Sequence, residues 1–331
     1  MTRKYFDMKA DLASILDNNE IMIIDGSMST PLERLGADLN DSLWTAKVLR
    51  EQPELIKKVH MDYFRAGADC GITASYQATI PGLMAKGMTE SEAEDVITSS
   101  VRVFLEARAE WWKAEGEAEG REYPLCLASI GPYGAFLADG SEYRGNYKIS
   151  DEELRMFHRR RMEILKDARA DMFLIETIPS KREALICADL AEDMDLDYWI
   201  SYSCMSGTKI CEGDPIRTCI SELVSAHPHL RMVGVNCTDP RFIVSLIGEI
   251  KKGLEDAGID LPIAVYPNSG EKYDPSTKTW TKVGEGMAFG AYAYEYMKAG
   301  AKAVGGCCTT VASHIKQVAE ARKRYLEDLY K

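Results

Sequence analysis

Three cysteines are the side chains of this sequence best suited to chemistry. Cys237 and the adjacent pair Cys307–Cys308 each end a short apolar run, and Gly305 and Gly306 precede the pair. Three thiolates that converge from two strands suit a borderline-soft ion, above all Zn²⁺, which takes three protein ligands at a catalytic site and keeps a fourth position open. The glycines would let the backbone come close enough for both adjacent sulfurs to face one ion. The alternative interpretation is that these cysteines pack as small hydrophobic residues.

Two carboxylates follow apolar runs in the same way. Asp25, with Gly26 after it, ends the first run, and Glu176 lies at the end of the fourth. Such carboxylates can pair with a substrate ammonium, while backbone N–H groups near Gly26 receive the carboxylate of an amino acid. The alternative for both is a structural carboxylate that caps the next helix. Further candidates for substrate binding lie at or just after the ends of other runs: Thr73, Ser75, Gln77, Asn236 and Tyr266.

The five histidines offer no comparable site. His60, His158 and His314 lie in helical segments, and His227 and His229 flank a proline in a turn. Because none of them ends a strand, the pattern argues against a histidine-rich metal site and against a Ser-His-Asp triad.

The candidate residues are distributed over eight β-rich apolar runs, and nearly every run is followed by a helical segment. The runs are Ile21–Gly26, Cys70–Ser75, Leu125–Pro132, Met172–Thr177, Tyr198–Cys204, Met232–Cys237, Ile263–Asn268 and Ala303–Cys308. The predicted helices include Pro53–Ala66, Ser150–Ala168 with a capping box at Ser150 and Glu153, a helix that starts at Asp239–Pro240, and Met287–Ala299.

Eight βα units of about forty residues each predict an α/β protein with a single (β/α)8 TIM barrel. A doubly wound sheet is the competing fold, but the segment after the first run contains no G-x-G-x-x-G phosphate loop. In a barrel, the active site is built from the carboxyl ends of the strands. The reactive residues fall at those ends, which favours an enzyme with a polar mouth over an apolar barrel.

Composition narrows the functional classes. The chain has 331 residues, of which 46% are hydrophobic and 28% charged, and 40 basic against 52 acidic residues give a net charge of −12. An acidic surface repels phosphate backbones and anionic lipid, so we expect neither nucleic-acid nor membrane partners. We find no transmembrane stretch and no secretory signal, and the nine unevenly spaced cysteines indicate reduced thiols in the cytoplasm. Because the sequence shows no interdomain linker and no low-complexity run, we expect one domain over residues 1–331.

Longer stretches carry a more specific signal. They are Asp41–Leu49 (DSLWTAKVL), Ile72–Thr79 (ITASYQAT), Gly131–Tyr147 (GPYGAFLADGSEYRGNY), Gly234–Cys237 (GVNC), Val265–Asp274 (VYPNSGEKYD) and Val304–Cys308 (VGGCC). Read in order, the chain resembles the homocysteine S-methyltransferase family, and these stretches resemble its S-methylmethionine-using branch. The resemblance implies a zinc-dependent (β/α)8 barrel whose metal thiolates fall on Cys237, Cys307 and Cys308. It also implies that the acidic residues binding homocysteine fall on Asp25 and Glu176.

The resemblance leaves the methyl donor open between S-methylmethionine, which we expect to be preferred, and S-adenosylmethionine. Betaine-using relatives differ in the loop after strand 3, and folate-using methionine synthases need further domains. A zinc-storage or redox-sensing barrel and a selenol acceptor such as selenocysteine are the other functions considered. Aromatic faces that could cradle a sulfonium are Tyr76, Tyr133, Tyr266 and Trp280, with ordinary packing as the alternative. The segments Ala138–Tyr147 and Gly270–Gly286 could form a lid, or be plain surface loops.

Overall fold

The structure, a computed structural model, describes residues 8–39, 45–274, 279–282 and 287–331, with no side chains described at 45–46, 271–274 and 279–282. Eight parallel strands form one sheet that curves into a nearly closed barrel, in the order β1-β10-β7-β6-β5-β4-β3-β2. These strands are β1 (Met22–Ile23), β2 (Cys70–Ile72), β3 (Leu125–Ile130), β4 (Met172–Ile178), β5 (Tyr198–Tyr202), β6 (Leu230–Asn236), β7 (Ile263–Tyr266) and β10 (Ala303–Val304). A hairpin of β8 (Glu271–Asp274) and β9 (Thr279–Lys282) follows β7.

The predicted (β/α)8 barrel is therefore confirmed, and each of the eight apolar runs overlaps one strand. Most strands are shorter than predicted at the carboxyl end. After β10, for example, the chain leaves the regular ladder so that Gly306 donates to the Asp25 carbonyl at 3.1 Å and Cys307 donates to the Pro267 carbonyl at 2.8 Å. The residues with reactive side chains therefore lie on the turns that follow the strands.

Two aspartates join β1 to β2, where the sheet order shows no regular ladder. Asp69 donates its backbone N–H to the Ile23 carbonyl, and its carboxylate accepts the Ile23 N–H, both at 2.8 Å. At the other end of this seam, the Asp25 carboxylate accepts the Ile72 N–H at 2.9 Å. Because a carboxylate oxygen can replace a peptide carbonyl as acceptor, these two side chains satisfy backbone donors that a regular ladder would have paired.

The strands separate two apolar layers, as a barrel requires. Inside the barrel, Met22, Leu127, Leu174, Trp199 and Met232 belong to one buried cluster. Outside it, the opposite faces of the strands pack against the helices in a second and larger cluster. Strands buried on both faces explain why the runs are apolar throughout rather than alternating.

The helices that cover the barrel are α1 (Leu12–Asn19), α2 (Ser29–Arg34), α3 (Thr45–Glu51), α4 (Pro53–Ala66), α5 (Ile80–Met84), α6 (Glu90–Trp111), α7 (Tyr133–Leu137), α8 (Asp151–Asp167), α9 (Lys181–Asp193), α10 (Ile216–Val224), α11 (Ile243–Ala257), α12 (Phe289–Ala299) and α13 (Ala312–Leu329). Helix α4 has the predicted bounds, and α8 begins after Ser150 with the predicted capping box to Glu153. A short 3₁₀ turn, Pro240–Phe242, leads into α11. Helix α12 begins two residues later than predicted and ends, as predicted, before Gly300. None of the described helices is long and apolar enough to cross a membrane.

Candidate metal site and substrate cavity

Three sulfurs meet at the mouth of the barrel. Cys237 follows β6, Cys307 and Cys308 follow β10, and their Sγ atoms all lie within 4.8 Å of one another. The Cys237 and Cys308 sulfurs are 3.4 Å apart. Three thiolates bound tetrahedrally at the usual Zn–S distance of roughly 2.3 Å would lie about 3.8 Å apart, so the cluster has the dimensions of a three-cysteine metal site.

The backbone around the cluster is built for this convergence. A Cβ on Gly305 would lie 2.6 Å from the Ile24 carbonyl oxygen, and one on Gly306 would lie 2.5 Å from the Thr310 hydroxyl. Cys237 itself has a φ of +48°, a left-handed conformation that costs free energy for a residue with a side chain. The close approach predicted for the two glycines is present, and the strained cysteine turns its sulfur toward the pair.

The charge balance of the cluster calls for a cation. The thiols of Cys307 and Cys308 and the hydroxyl of Tyr143 hydrogen-bond to the Cys237 sulfur and lower the pKa of Cys237. The pKa values of Cys307 and Cys308 are raised, first by their hydrogen bonds to Cys237 and then by burial. Cys237 is buried and Cys307 and Cys308 are half-buried. Three thiolates this close would repel one another, and a divalent metal ion would supply the opposing positive charge.

A cavity of about 150 Å³ opens beside the sulfurs. Eight of the residues proposed from the sequence line it: Gly26, Thr73, Gln77, Glu176, Cys237, Tyr266, Cys307 and Cys308. Three do not line it but lie in the layer beneath: Asp25, Ser75 and Asn236. No lysine or arginine lines the cavity in the part of the chain that the structure describes.

Glu176 points into this cavity with only 6% of its surface exposed. Its carboxylate accepts the Ser129 hydroxyl and, at 3.4 Å, the Asn236 amide. Burial raises the pKa of Glu176 to about 7, and the hydrogen bond from Ser129 opposes the rise. Such a carboxylate is about half ionised near neutral pH, and an ammonium placed against it would stabilise its charged form.

Asp25 is buried under the cavity, and its geometry does not fit the alternative interpretation as a helix cap. One oxygen accepts the Ile72 N–H across the β1–β2 seam, so the carboxylate does not cap the next helix. The other oxygen has no hydrogen-bond partner among the described residues, and burial raises the pKa of Asp25 well above its usual range. Gly26, next in the chain, is the residue at this position that reaches the cavity wall.

Polar side chains beneath the cavity hold the strand ends together. The Thr73 and Ser75 hydroxyls are 2.8 Å apart, and Ser75 donates to the Ser129 carbonyl at 2.7 Å. Asn236 accepts the Thr177 N–H and donates to the Thr177 hydroxyl, both at 2.8 Å. Ser75 and Asn236 therefore position the lining residues, while Thr73 contributes to the wall itself.

The loop after β3 supplies two lining residues that sequence reasoning missed. Glu142 and Tyr143 lie on a 3₁₀ turn, Ser141–Tyr143, and the Tyr143 hydroxyl is 3.2 Å from the Cys237 sulfur. In the sequence, both residues lie in the segment Ala138–Tyr147, expected to be a lid or a plain surface loop, and in the stretch Gly131–Tyr147 that carries the family resemblance. The second lid segment, Gly270–Gly286, lies almost wholly outside the described side chains.

A buried polar network supports this loop from behind. The Arg161 guanidinium donates to the Gly131 carbonyl and to His158 Nδ1, both at 2.7 Å. His158 Nε2 lies 2.9 Å from a Glu183 oxygen that also accepts the Tyr133 N–H at the start of α7. Burial lowers the pKa of His158, so the imidazole is neutral. It accepts a hydrogen bond from Arg161 and donates one to Glu183, and thereby links the two side chains.

The four aromatic residues proposed to contact the sulfonium differ in where the structure places them. Tyr76 and Tyr266 line the cavity. Tyr133 packs instead against Phe136 and Phe157 behind the loop. The side chain of Trp280 lies outside the described residues. The site therefore keeps two aromatic faces from the sequence prediction, and Tyr143 adds a third.

Comparison with known proteins places this geometry in context. A family model described as Homocysteine S-methyltransferase matches residues 22–322. The chain is 49% identical over 306 residues to Homocysteine S-methyltransferase YbgG of Bacillus subtilis, covering 92% of this chain and 95% of the relative. It is 44% identical over 310 residues to Homocysteine S-methyltransferase 1 of Zea mays, covering 91% and 94%. The metallated form of the homocysteine methyltransferase MmuM from Escherichia coli matches with a TM-score of 0.81 at 37% identity, over 93% of this chain and 99% of that chain.

Proposed function

The chain belongs to the homocysteine S-methyltransferase family and is a methyltransferase that acts on homocysteine, and we propose that it does so with a zinc ion and a sulfonium donor. Zinc would be held by Cys237, Cys307 and Cys308. The observation that carries this assignment is the convergence of three sulfurs, all within 4.8 Å of one another, at the edge of a cavity without a basic residue in its described lining. We also propose that residues 1–331 form one domain.

Bound zinc lowers the pKa of a thiol that it contacts, so homocysteine would be present as a thiolate at neutral pH. The rest of the work belongs to the protein. Glu176 would hold the ammonium of homocysteine, and the backbone at Gly26 would receive its carboxylate. Asp25, beneath the wall, would contribute through its unpartnered oxygen, while Thr73, Gln77 and Tyr266 would shape the remaining surface.

The reaction then depends mainly on alignment. A sulfonium is a good leaving group because it departs as a neutral thioether, and no base is needed at the methyl group. Holding acceptor sulfur, methyl carbon and donor sulfur in line converts a bimolecular reaction into an effectively unimolecular one. Tyr76 and Tyr143, on the cavity wall near Cys237, would lie against the donor and exclude water from it.

The proposed donor is S-methylmethionine, with S-adenosylmethionine as a slower substrate. Two observations support a compact donor: the loop after β3 places Glu142 and Tyr143 on the cavity wall, and a hairpin follows β7. We also propose a cytoplasmic setting, in which the nine unevenly spaced cysteines would stay reduced.

A donor panel tests the assignment. Zinc-loaded enzyme and homocysteine are incubated with S-methylmethionine, S-adenosylmethionine or betaine at matched concentrations, and methionine formed per donor consumed is measured. We expect the highest kcat/KM with S-methylmethionine, a lower value with S-adenosylmethionine, and no turnover with betaine. Equal or faster turnover with betaine would overturn the donor assignment and leave the metal assignment standing.

A further inference from the structure

Glu142 is an acidic residue in the cavity that the proposed reaction has not used. It lies in the Ser141–Tyr143 turn, and it lines the same cavity as Glu176 and Cys237. Its Oε2 atom is shielded from solvent and has no hydrogen-bond partner among the described residues. An unsatisfied buried carboxylate oxygen costs free energy, so its presence in a ligand cavity calls for an explanation.

The backbone fixes where this carboxylate lies. Ser203, after β5, donates its hydroxyl to the Glu142 carbonyl at 3.3 Å. On the other side the turn lies directly on Gly134, where any Cβ would collide with the Glu142 nitrogen. The next residue, Tyr143, is in contact with the Cys237 sulfur. Glu142 is therefore held on a packed turn and not on a free surface loop.

The charges around the cavity favour a cation beside Glu142. Burial raises the pKa of Glu142 to about 7, and the Cys237 sulfur and Asp139 add to the rise. The nearest basic influence is Arg144, which acts only weakly, and its side chain is 61% exposed. With Glu176 the cavity has two carboxylates whose pKa values are raised, and its described lining has no lysine or arginine. A positive charge beside Glu142 would therefore come from a bound ligand, since the proposed zinc ion lies at the cysteines.

The chemistry of the proposed reaction identifies the cation. Homocysteine and an amino-acid donor each bring one ammonium, and Glu176 is assigned to homocysteine. A carboxylate placed against the sulfonium would stabilise the reactants more than the transition state, because the sulfonium loses its charge as the methyl leaves. The ammonium of the donor keeps its charge throughout, so binding it does not slow the reaction.

We propose that Glu142 binds the α-ammonium of the methyl donor and thereby makes the enzyme selective for amino-acid sulfonium compounds. This inference rests on the proposed function. It assigns one carboxylate to each of two amino-acid substrates on opposite sides of the transferred methyl group. S-Methylmethionine and S-adenosylmethionine both have the ammonium, so Glu142 would not distinguish between these two donors.

The test compares Glu142→Gln with the wild type on two donors. One is S-methylmethionine, and the other is 4-(dimethylsulfonio)butanoate, which has the same sulfonium and carboxylate but no ammonium. We expect the variant to raise the KM for S-methylmethionine about 10- to 100-fold, the effect of losing one charge-assisted hydrogen bond, with kcat little changed. The KM for the deaminated donor and for homocysteine should not change. The wild type should use the deaminated donor with a correspondingly higher KM.

The matched control is Asp139→Asn, on the same loop, whose carboxylate is about half exposed and does not line the cavity. It should leave both donor KM values unchanged. The proposal is overturned if Glu142→Gln raises both donor KM values equally, raises only the KM for homocysteine, or changes nothing, or if the wild type uses both donors equally well. The activity of the wild type is measured first. If it methylates homocysteine from no sulfonium donor, the proposed function itself fails. Thermal unfolding verifies folding, which should persist because glutamine has the same shape and no charge.

Discussion

The two ends of the barrel bury the same kind of side chain in opposite ways. At the amino ends of the strands, Asp69 is paired with Arg322 at 2.6 Å and Arg121 at 3.2 Å, and Asp171 is paired with Arg108. At the carboxyl ends, Asp25 and Glu176 are equally buried, with 1% and 6% of their surface exposed, and neither forms an ion pair among the described residues.

Asp69 and Asp25 are the most similar pair of carboxylates at the two ends, because both accept a backbone N–H across the same β1–β2 seam. Burial and local role are therefore alike, and only the presence of a cation differs. At the amino ends of the strands, here called the lower end, arginines of the chain pair with the buried carboxylates and stabilise the fold. At the carboxyl ends, the upper end, the buried carboxylates have no such partner. Part of the free energy that their burial costs is therefore recovered only when a positively charged ligand or metal ion binds.

The largest effect should come from the metal site at the upper end. Cys307→Ala should remove the bound zinc and abolish turnover while the barrel stays folded, because the core does not depend on the ion. Zinc content, methionine formation and thermal unfolding are measured together. Cys211→Ala, which removes a partly buried thiol outside the cluster, serves as the control and should keep its zinc. A full complement of zinc in Cys307→Ala would refute the ligand assignment.

A variant at the amino ends of the strands should lower the stability of the fold and leave the metal and substrate sites unchanged. Asp171→Ala leaves the buried Arg108 guanidinium, 1% exposed, without its carboxylate, and should lower the free energy of unfolding by about 3–5 kcal/mol. Asp193→Ala removes the exposed pair with Arg159 and should cost less than about 1 kcal/mol. Denaturant unfolding measures both. Equal losses in the two variants would show that the buried pair has no special role.

Glu176→Ala should affect substrate binding and not stability, the reverse of Asp171→Ala. Loss of the charge-assisted hydrogen bond to the homocysteine ammonium should weaken homocysteine binding by about 1.5–3 kcal/mol, or roughly 10- to 100-fold. Zinc content should stay the same. Titration calorimetry with homocysteine makes the measurement, and normal affinity would mean that Glu176 is structural, like Asp171.

A last effect should appear in the pH dependence of stability without metal or substrates. Because burial raises the pKa of Glu176 to about 7, the folded protein keeps this proton at a pH where the unfolded chain has lost it. Its contribution to stability is therefore present below about pH 4.5 and is lost as the pH rises through about 7, by on the order of 3 kcal/mol. Glu176→Gln should flatten this part of the profile. An unchanged profile would show that Glu176 titrates normally.

The sequence by itself determined the features that depend on local pattern. Apolar runs and helix caps such as Ser150 with Glu153 are read within a few residues, and they gave the eight strands, the bounds of α4 and the barrel. The position of Cys237, Cys307 and Cys308 after two strands followed from the same reading, because parallel strands bring their carboxyl ends to one edge.

Only the tertiary structure decided which polar residues face the cavity. Tyr143 meets Cys237 across 94 positions of sequence, and Glu142 enters the cavity because its turn packs on Gly134. Asp25 lies one layer beneath the wall and joins two strands, whereas Gly26 beside it reaches the surface. Local pattern cannot distinguish a carboxylate paired with an arginine from an unpaired one, because the partner comes from a distant segment and only the packed barrel brings the two together.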